Sequence, residues 1–469
     1  MTDPTTAAEW PSLADLRTHL ASGVVTAGDL LATCLRRVEE IDPLVGAVLA
    51  LDPTAGEQAR DSDRRIAAGR ARPLEGVPVL VKDNIDTAGL ATTAGSRLLA
   101  DAPPHADADV VARLRRTGAV VLGKANLSEW GNFRSTGAIE GWSAVGGQTR
   151  NPHVLDHSPG GSSSGSAAGV AAGLAPLALG TETDGSVVVP AALTGVVGVK
   201  PALGLLPGRG VVPVSRAQDT VGVLAPRVAD AAACLAALTG GPAVRPVSPV
   251  GLRLGLWPGR RMNDAALAEL DRVAGELRAA GVVLVPVDLP WDAPPLIAGM
   301  EALLAEFHVG LNGYLATRRG RVRSLADLVA GNRADPVELS LFGQELLEQA
   351  AAVTDEQLRD AGAKRARARW WARDAVAAVL AEHSVAGIVA PTSEAAWRIG
   401  PDGDPLVRNT STIPSMAGVP NVSVPAGWFG PLPFGVSVFG PRDTFAALTI
   451  AATVEAVCGD RREPGFLAG

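Results

Sequence analysis

Hydrophobic and polar positions along this chain follow helical and strand periods in alternation. After the capping-box pattern Thr26–Asp29, apolar residues recur at helical spacing, so residues 12–41 predict two amphipathic helices. Apolar runs typical of strands occupy 76–85, 119–124, 196–200, 221–224, 252–257 and 282–289, and helical patterns occupy 109–117, 164–175 and 263–280. This alternation predicts an α/β fold, with a sheet covered by helices on both faces.

The pattern changes over residues 290–385, which are mostly helical and rich in Ala and Arg. Strand patterns return at 387–391 and 419–427, and a last helix is predicted over 444–457. Neither an internal repeat nor a linker interrupts the chain. We therefore expect residues 1–469 to form a single domain, in which 290–385 is a helical insertion that covers one end of the sheet.

Composition narrows the functional classes. Hydrophobic residues make up 47% of the chain and charged residues 19%, which suits a large core. The net charge of −7 gives no reason to expect nucleic acid or an anionic membrane as a partner. The three cysteines are odd in number and lack CxxC spacing, which argues against a disulfide framework or a zinc site. With no signal-peptide pattern and no apolar run as long as a membrane span, we expect a cytoplasmic protein.

The residues most suited to chemistry lie in two turns rich in Gly and Ser. They flank an Ala-rich stretch within residues 159–190, PGGSSSGSAAGVAAGLAPLALGTETDGSVVVP, with Ser162 in the first turn and Ser186 in the second. A lone lysine, Lys82, stands upstream in the apolar run GVPVLVKDNIDT. Two hydroxyls on tight turns and a lysine among apolar residues are what acyl transfer without histidine requires.

These motifs resemble the amidase signature family, whose members hydrolyse amide-type bonds through a Ser–Ser–Lys triad. The segments KANLSEWGNFRS, GTETDGS and SRAQDT are most similar to its peptide-amidase branch. The resemblance covers residues 12–240 and 385–458, and it implies one domain around a twisted, mixed β-sheet. It also implies an amidohydrolase that needs no metal or cofactor. From its helical pattern, and not from the resemblance, we expect segment 290–385 to cover the substrate site.

The resemblance assigns a role to each site residue. Ser186 would be the nucleophile, and Ser162 the relay hydroxyl, which in relatives follows a cis peptide bond. Lys82 would be the base. The backbone N–H groups that would bind the oxyanion belong to Thr183, Asp184, Gly185 and Ser186.

The base must be uncharged to accept a proton. A free lysine has a pKa of about 10.4, and lowering it to ~7.5 costs roughly 4 kcal/mol. Burial of Lys82 among the apolar residues around it can supply such a shift. Asp83 would oppose the shift if it were close, although neighbouring residues in a strand point to opposite faces.

Three departures from the common family pattern affect the expected site. Asp184 stands where Gly or Ala is usual, so only its backbone is assigned to the site, and Glu182 stands where Asp is usual. Residues 187–189 carry no arginine, which relatives that bind acidic acyl groups place there. We therefore expect a neutral, largely apolar acyl pocket.

The predicted substrate-binding residues are Trp130, Phe133 and Gly161, although large aromatic residues more often belong to the core. The substrate is expected to be a small-molecule amide or carbamate (urethane), and the protein a monomer or homodimer. Peptide C-terminal amides, aryl or alkyl amides and carbamates all present a similar carbonyl, and the sequence does not rank them.

Several alternatives remain. Residues 161–165 also fit G-x-S-x-G, which would make Ser163 the nucleophile of an α/β-hydrolase-type esterase, but no apolar strand precedes the motif. Residues 118–124 approach a phosphate-binding loop, but Ala125 replaces the Ser or Thr that would hold magnesium. The glutamine-hydrolysing subunit of a tRNA-dependent amidotransferase shares the fold and triad, and a non-catalytic scaffold is the last alternative.

Overall fold

The fold is built on one large mixed sheet. A computed structural model describes residues 10–101, 103–400 and 403–469. The main strands are β1 (Val48–Leu51), β2 (Pro78–Lys82), β3 (Val120–Ala125), β6 (Leu177–Glu182), β7 (Val197–Lys200), β8 (Thr220–Ala225), β9 (Arg253–Leu256), β10 (Val283–Pro286), β11 (Gly387–Pro391), β12 (Asn421–Phe429) and β13 (Leu432–Phe439). A separate two-stranded sheet contains β4 (Trp142–Ser143) and β5 (Gly147–Gln148).

The eleven strands of the large sheet are ordered β1-β3-β2-β6-β8-β7-β12-β13-β11-β9-β10. Strand β2 runs parallel to both β3 and β6, and β9 runs parallel to β10 and β11. The five strands in the middle of the sheet, β6, β8, β7, β12 and β13, pair antiparallel in that order. The expectation of a mixed sheet is therefore confirmed.

Helices surround this sheet. Within the described residues they are α1 (Leu13–Ser22), α2 (Ala27–Val45), α3 (Ala55–Ala67), α4 (Asp109–Arg116), α5 (Ser164–Ala171), α6 (Val188–Thr194), α7 (Val228–Thr239), α8 (Asp264–Ala279), α9 (Ala293–Thr317), α10 (Leu325–Ala334), α11 (Glu345–Ala351), α12 (Asp355–Glu382), α13 (Thr412–Ala417) and α14 (Thr444–Cys458). None of them combines the length and the hydrophobicity that crossing a bilayer requires.

Strand alternation explains why both faces of the sheet are covered. In β2, Val79 and Val81 point into a core that also contains residues of α4, α7, α8 and α14. The intervening Leu80 points into a second core with residues of α2, α3 and α5. Lys82 lies two residues after Leu80 and therefore points to the same face of the strand, the face on which α5 packs.

The local patterns at the N-terminus correspond to observed helices. Helix α2 begins after Thr26, whose hydroxyl accepts a hydrogen bond from the Asp29 N–H, while the Asp29 carboxylate accepts one from the Thr26 N–H. This reciprocal pair satisfies backbone donors that a helix start leaves open. The three cysteines are buried, and burial raises the pKa of each thiol to about 12.

The predicted helical segment corresponds to α9–α12. Helix α9 packs along α12, and it reaches the loop before β8, where Glu306 accepts a hydrogen bond from Ser215. Strands β9, β10 and β11 flank this segment in the chain and extend the same sheet. The chain therefore leaves the sheet after β10 and returns to it at β11.

Candidate active site

The topology brings the end of β2 close to the end of β6. The two strands are parallel neighbours, with Val81 opposite Leu179, so Lys82 and Glu182 end at the same edge of the sheet. The turn 183–186 follows β6 directly and leads into α6. Carboxyl ends of parallel strands are where α/β proteins commonly place their ligands.

Lys82 meets the first Gly/Ser turn at this edge. Its Nζ lies 2.8 Å from Ser162 Oγ and 3.0 Å from Ser163 Oγ, and it donates to the backbone oxygen of Thr181 at 3.2 Å. The lysine is fully buried. Ser162 follows a cis peptide bond from Gly161. The structure thus brings together two groups that are far apart in the sequence.

Burial controls the charge of this lysine. Removal from water lowers the pKa of Lys82 from 10.5 to about 7, because the charged ammonium loses hydration, and the carboxylates of Glu182 and Asp219 partly oppose the shift. Asp83 does not take part in this balance. It faces away, where its carboxylate pairs with Lys124 at 3.4 Å and accepts a hydrogen bond from the Thr93 N–H at 3.0 Å.

The second turn carries Ser186 and leaves its backbone donors open. Gly185 adopts φ = 82°, which a glycine takes without steric cost. In the described part of the chain, the N–H groups of residues 183–186 have no hydrogen-bond acceptor. Ser186 and Ser162 both line one cavity of about 270 Å³. Their hydroxyls are not hydrogen-bonded to each other.

The side chain of Glu182, which stands where the family pattern has Asp, binds the start of α6. One carboxylate oxygen accepts hydrogen bonds from the N–H groups of Val187 and Val188, at 2.8 and 3.0 Å. The other oxygen accepts one from Ser415 at 3.2 Å. The side chain therefore caps the start of α6 and fixes the far end of the turn that carries Ser186.

Asp184 is directed away from this cap. Its carboxylate accepts a hydrogen bond from the hydroxyl of Ser411, which stands just before α13. That contact holds the negative charge on the side of the turn that faces α13. This contact is compatible with the prediction that only the backbone of Asp184 belongs to the site, which stays a prediction.

None of the three residues predicted to bind substrate lines this cavity. Trp130 and Phe133 belong to a buried cluster with Phe307 and Leu311 of α9, and neither lines the described cavity. Gly161 packs so closely against Ser128 that a Cβ at this position would clash with the Ser128 Oγ. Gly161 therefore leaves room for the turn to pack.

Most of the cavity wall comes from the loop between β7 and β8, for which the sequence predicted no binding role. The apolar part of the wall consists of Leu203, Leu206, Val211, Val212, Pro213, Val214 and Val221. Gly131 also lines it, next to Trp130, and both adopt positive φ. The charged lining residues are Arg209, Arg216 and Asp219, and both arginines are exposed. The local signal in this loop was the motif SRAQDT (215–220), which contains Arg216 and Asp219.

Comparison with known proteins identifies the family of this chain. Residues 29–444 match the model of the Amidase family. The chain belongs to this family, that of the amidase signature. It is accordingly an amidohydrolase that acts on carbon–nitrogen bonds, and the resemblance found in the sequence is confirmed.

The amidase is similar to several proteins over nearly its whole length. The crystal structure of native peptide amidase from Stenotrophomonas maltophilia superposes with a TM-score of 0.90 at 41% identity, covering 99% of this chain and 100% of the other. A probable amidase of Arabidopsis thaliana is 34% identical over 97% of this chain and 92% of its own length. A glutamyl-tRNA(Gln) amidotransferase subunit from Aromatoleum aromaticum is also 34% identical, over 94% of this chain and 96% of its own length.

Proposed function

We propose that this amidase hydrolyses small-molecule amides through a Ser186–Ser162–Lys82 triad and an acyl-enzyme. The substrate classes are peptide C-terminal amides, aryl or alkyl amides, and carbamates. The observation that carries the proposal is the contact between Ser162 and a fully buried lysine whose pKa is about 7. An amine with this pKa is substantially uncharged at neutral pH, as a general base must be.

The contacts of Lys82 favour a neutral amine with its lone pair directed at Ser162. A neutral amine has two hydrogens and one lone pair. Thr181 O can only accept a hydrogen bond, and Ser163 donates its own hydrogen to Thr181 O at 3.1 Å, so it accepts from the lysine. Both hydrogens of Lys82 are then used, and the lone pair remains for the hydroxyl hydrogen of Ser162.

In the acylation half, Ser186 Oγ attacks the substrate carbonyl carbon. Its proton passes to Ser162 Oγ, while the proton of Ser162 passes to Lys82 Nζ. Collapse of the tetrahedral adduct breaks the C–N bond, and the amine leaves with the proton returned along the same route. In the second half, water attacks the acyl carbonyl carbon while one of its protons passes along the same route to Lys82 Nζ. Collapse of this adduct breaks the ester C–O bond, and the proton returns from Lys82 through Ser162 to Ser186 Oγ as the acid leaves.

The oxyanion of each adduct requires donors fixed in advance. We assign this role to the N–H groups of Thr183, Asp184, Gly185 and Ser186, and their lack of acceptors in the described residues supports it. Loss of one such donor typically costs about 10²–10³ in kcat. The cap that Glu182 provides would limit movement of the turn during turnover.

We further propose that the acyl side of the substrate is uncharged and largely apolar. The aliphatic wall of the cavity supports this, together with the absence of arginine at 187–189. Trp130 and Phe133 would then support the wall indirectly, since their rings belong to the buried cluster that also contains the lining residues Val212 and Val214.

The test compares serine variants on a substrate panel of p-nitroanilides, carbamates, esters and peptide amides. Ser186→Ala should abolish turnover of every substrate that the wild type hydrolyses. Ser163→Ala should retain measurable activity, because Ser163 is buried and serves Lys82. The opposite result, with Ser163→Ala inactive and Ser186→Ala active, would favour the α/β-hydrolase alternative.

A second candidate function is that of a glutamine-hydrolysing amidotransferase subunit. Its support is the similarity to the glutamyl-tRNA(Gln) amidotransferase subunit from Aromatoleum aromaticum over nearly the full length of both chains. Glutaminase activity that rises on addition of the other subunits of such an enzyme would support it. Hydrolysis of the amide panel by the isolated chain, without glutaminase activity, would favour the first proposal.

A further inference from the structure

A closed ring of hydrogen bonds and one ion pair ties the turn that carries Ser186 to helices α9 and α12. The proposed reaction uses none of the side chains in this ring. The ring contains one member from the turn, three from the loop before β8 and one from each helix: Thr183, Ser215, Gln218, Asp219, Glu306 and Arg365.

One half of the ring runs through Gln218. Its Nε2 donates to the backbone oxygen of Thr183 at 2.8 Å, and its Oε1 accepts a hydrogen bond from Arg365. Arg365 is in turn held by Glu306, through Nε to Oε1 at 3.0 Å and Nη2 to Oε2 at 2.7 Å. The two-point ion pair leaves the guanidinium a single orientation toward Gln218.

The other half of the ring runs through Asp219. Its Oδ1 accepts from the Thr183 hydroxyl at 2.6 Å, and its Oδ2 accepts from the Ser215 N–H at 2.9 Å. Ser215 then donates its hydroxyl to Glu306 at 2.5 Å, which closes the ring. Thr183 is therefore held both by its side chain and by its carbonyl.

The hydrogen bond from Gln218 to the Thr183 carbonyl oxygen also sets the direction of the Asp184 N–H, one of the proposed oxyanion donors. The oxygen of Thr183 and the N–H of Asp184 belong to the same peptide plane and point in opposite directions. When Gln218 fixes the oxygen on one side, the Asp184 N–H must point to the other. Removal of Gln218 would leave this peptide free to rotate.

The stability of the fold does not by itself account for this ring. Arg365 and Gln218 are each only 5% exposed, and taking such groups out of water costs free energy that a buried ion pair often fails to recover. A fully satisfied network does, however, fix orientations closely. Orientation is the property that an oxyanion site needs.

We propose that Gln218 and Arg365 are positioning residues, which orient the Thr183–Asp184 peptide so that the Asp184 N–H meets the developing oxyanion. The inference rests on the proposed function. It also gives helices α9 and α12 a role in turnover, since Arg365, paired with Glu306, holds Gln218, which contacts the turn.

The test uses Gln218→Met, which keeps the length of the side chain and removes both polar atoms. We expect kcat to fall about 10- to 100-fold, below the full loss of an oxyanion donor, while KM changes less than threefold. Affinity for a peptide aldehyde, which forms an oxyanion-like adduct with the nucleophile, should fall in parallel with kcat. If Gln218 had a purely structural role, the variant would lose thermal stability without a loss of kcat that exceeds the change in KM.

A second variant and a matched control complete the design. Arg365→Lys cannot reproduce the two-point pair and should lower kcat as well, and the double variant should lose less than the product of the single losses. Arg333→Gln removes an exposed ion pair of 2.8 Å with Glu348 in the same helical segment and should leave kcat unchanged. If Gln218→Met is unstable, Arg365→Lys decides the question alone.

The outcomes separate the two proposals. Wild-type kcat and aldehyde affinity in a folded Gln218→Met or Arg365→Lys variant would overturn the positioning role and leave the triad intact. Multiplicative losses in the double variant would overturn it too. A wild type that hydrolyses no amide on the panel would instead remove the proposed function, and this inference with it.

Discussion

The buried lysine makes the pH dependence of turnover the most direct test of the site. A pKa of about 7, against an ordinary 10.5, means that burial disfavours the ammonium form by about 5 kcal/mol. The base is uncharged above this pKa and protonated below it. We therefore expect kcat/KM to be constant at high pH and to fall tenfold per unit below pH 7, so that at pH 5 about 1% of the plateau remains.

The assay is the initial rate of a neutral amide substrate from pH 5 to 9, with the temperature varied at each pH. Other buried groups titrate in the same range, among them Asp219, whose pKa burial raises to about 6. Amine ionisation depends strongly on temperature and carboxyl ionisation hardly at all. An inflection caused by Lys82 should therefore move to lower pH on warming.

Variants at Lys82 complete the test. Lys82→Met should lower kcat/KM by several orders of magnitude and abolish the inflection, and in Lys82→Ala a small primary amine in solution should restore part of the rate. The reasoning would be refuted by a rate independent of pH between 5 and 9. An inflection that persists in the residual activity of Lys82→Met would refute it equally.

Three other predictions follow from contacts around the site. Glu182→Gln loses the charge that caps α6, so the unfolding free energy should fall by about 1–3 kcal/mol in denaturant titrations. The same variant removes a charge that raises the pKa of Lys82, so the inflection of the pH–rate profile should move to lower pH, and an unmoved or higher inflection would contradict this account. Gly161→Ala drives a Cβ into Ser128 Oγ and should lower the melting temperature and kcat together; recovery in the double variant with Ser128→Gly would identify the clash, and a wild-type melting temperature would exclude it. Lys124→Met breaks a buried ion pair and should cost about 3–5 kcal/mol in unfolding free energy, while the pH–rate inflection stays in place; a shifted inflection would mean that the pair acts on Lys82.

Local patterns predicted most of the elements but not their boundaries. The run 76–85 forms a shorter strand, Pro78–Lys82, because the residues beyond it turn toward Lys124 and the loop before β8. Strand β6 was not predicted, although it carries the second turn. Its residues 177–182 include Ala and Gly, which have weak strand propensity, and its place between β2 and β8 stabilises it.

The aromatic residues show the limit of the same reasoning at the site. Trp130 and Phe133 lie within the conspicuous motif KANLSEWGNFRS, but their rings are buried against α9, which is distant in the chain. The sequence marks such residues as large and apolar without saying which surface they cover. The loop that does line the cavity carries one motif, SRAQDT, at its end, and no motif marks its apolar residues 203–214.

The sequence by itself determined the chemistry that each segment can carry. Gly/Ser turns, a lysine in an apolar strand and alternating faces are local properties, because they depend on backbone sterics and on the side-chain period. Only the tertiary structure decided which of these segments meet. The pairing of β2 with β6, the contact of Lys82 with Ser162 and the link from Arg365 to Thr183 all join residues far apart in the chain. Such contacts depend on the order of strands and on packing across the whole molecule, which local periodicity does not encode.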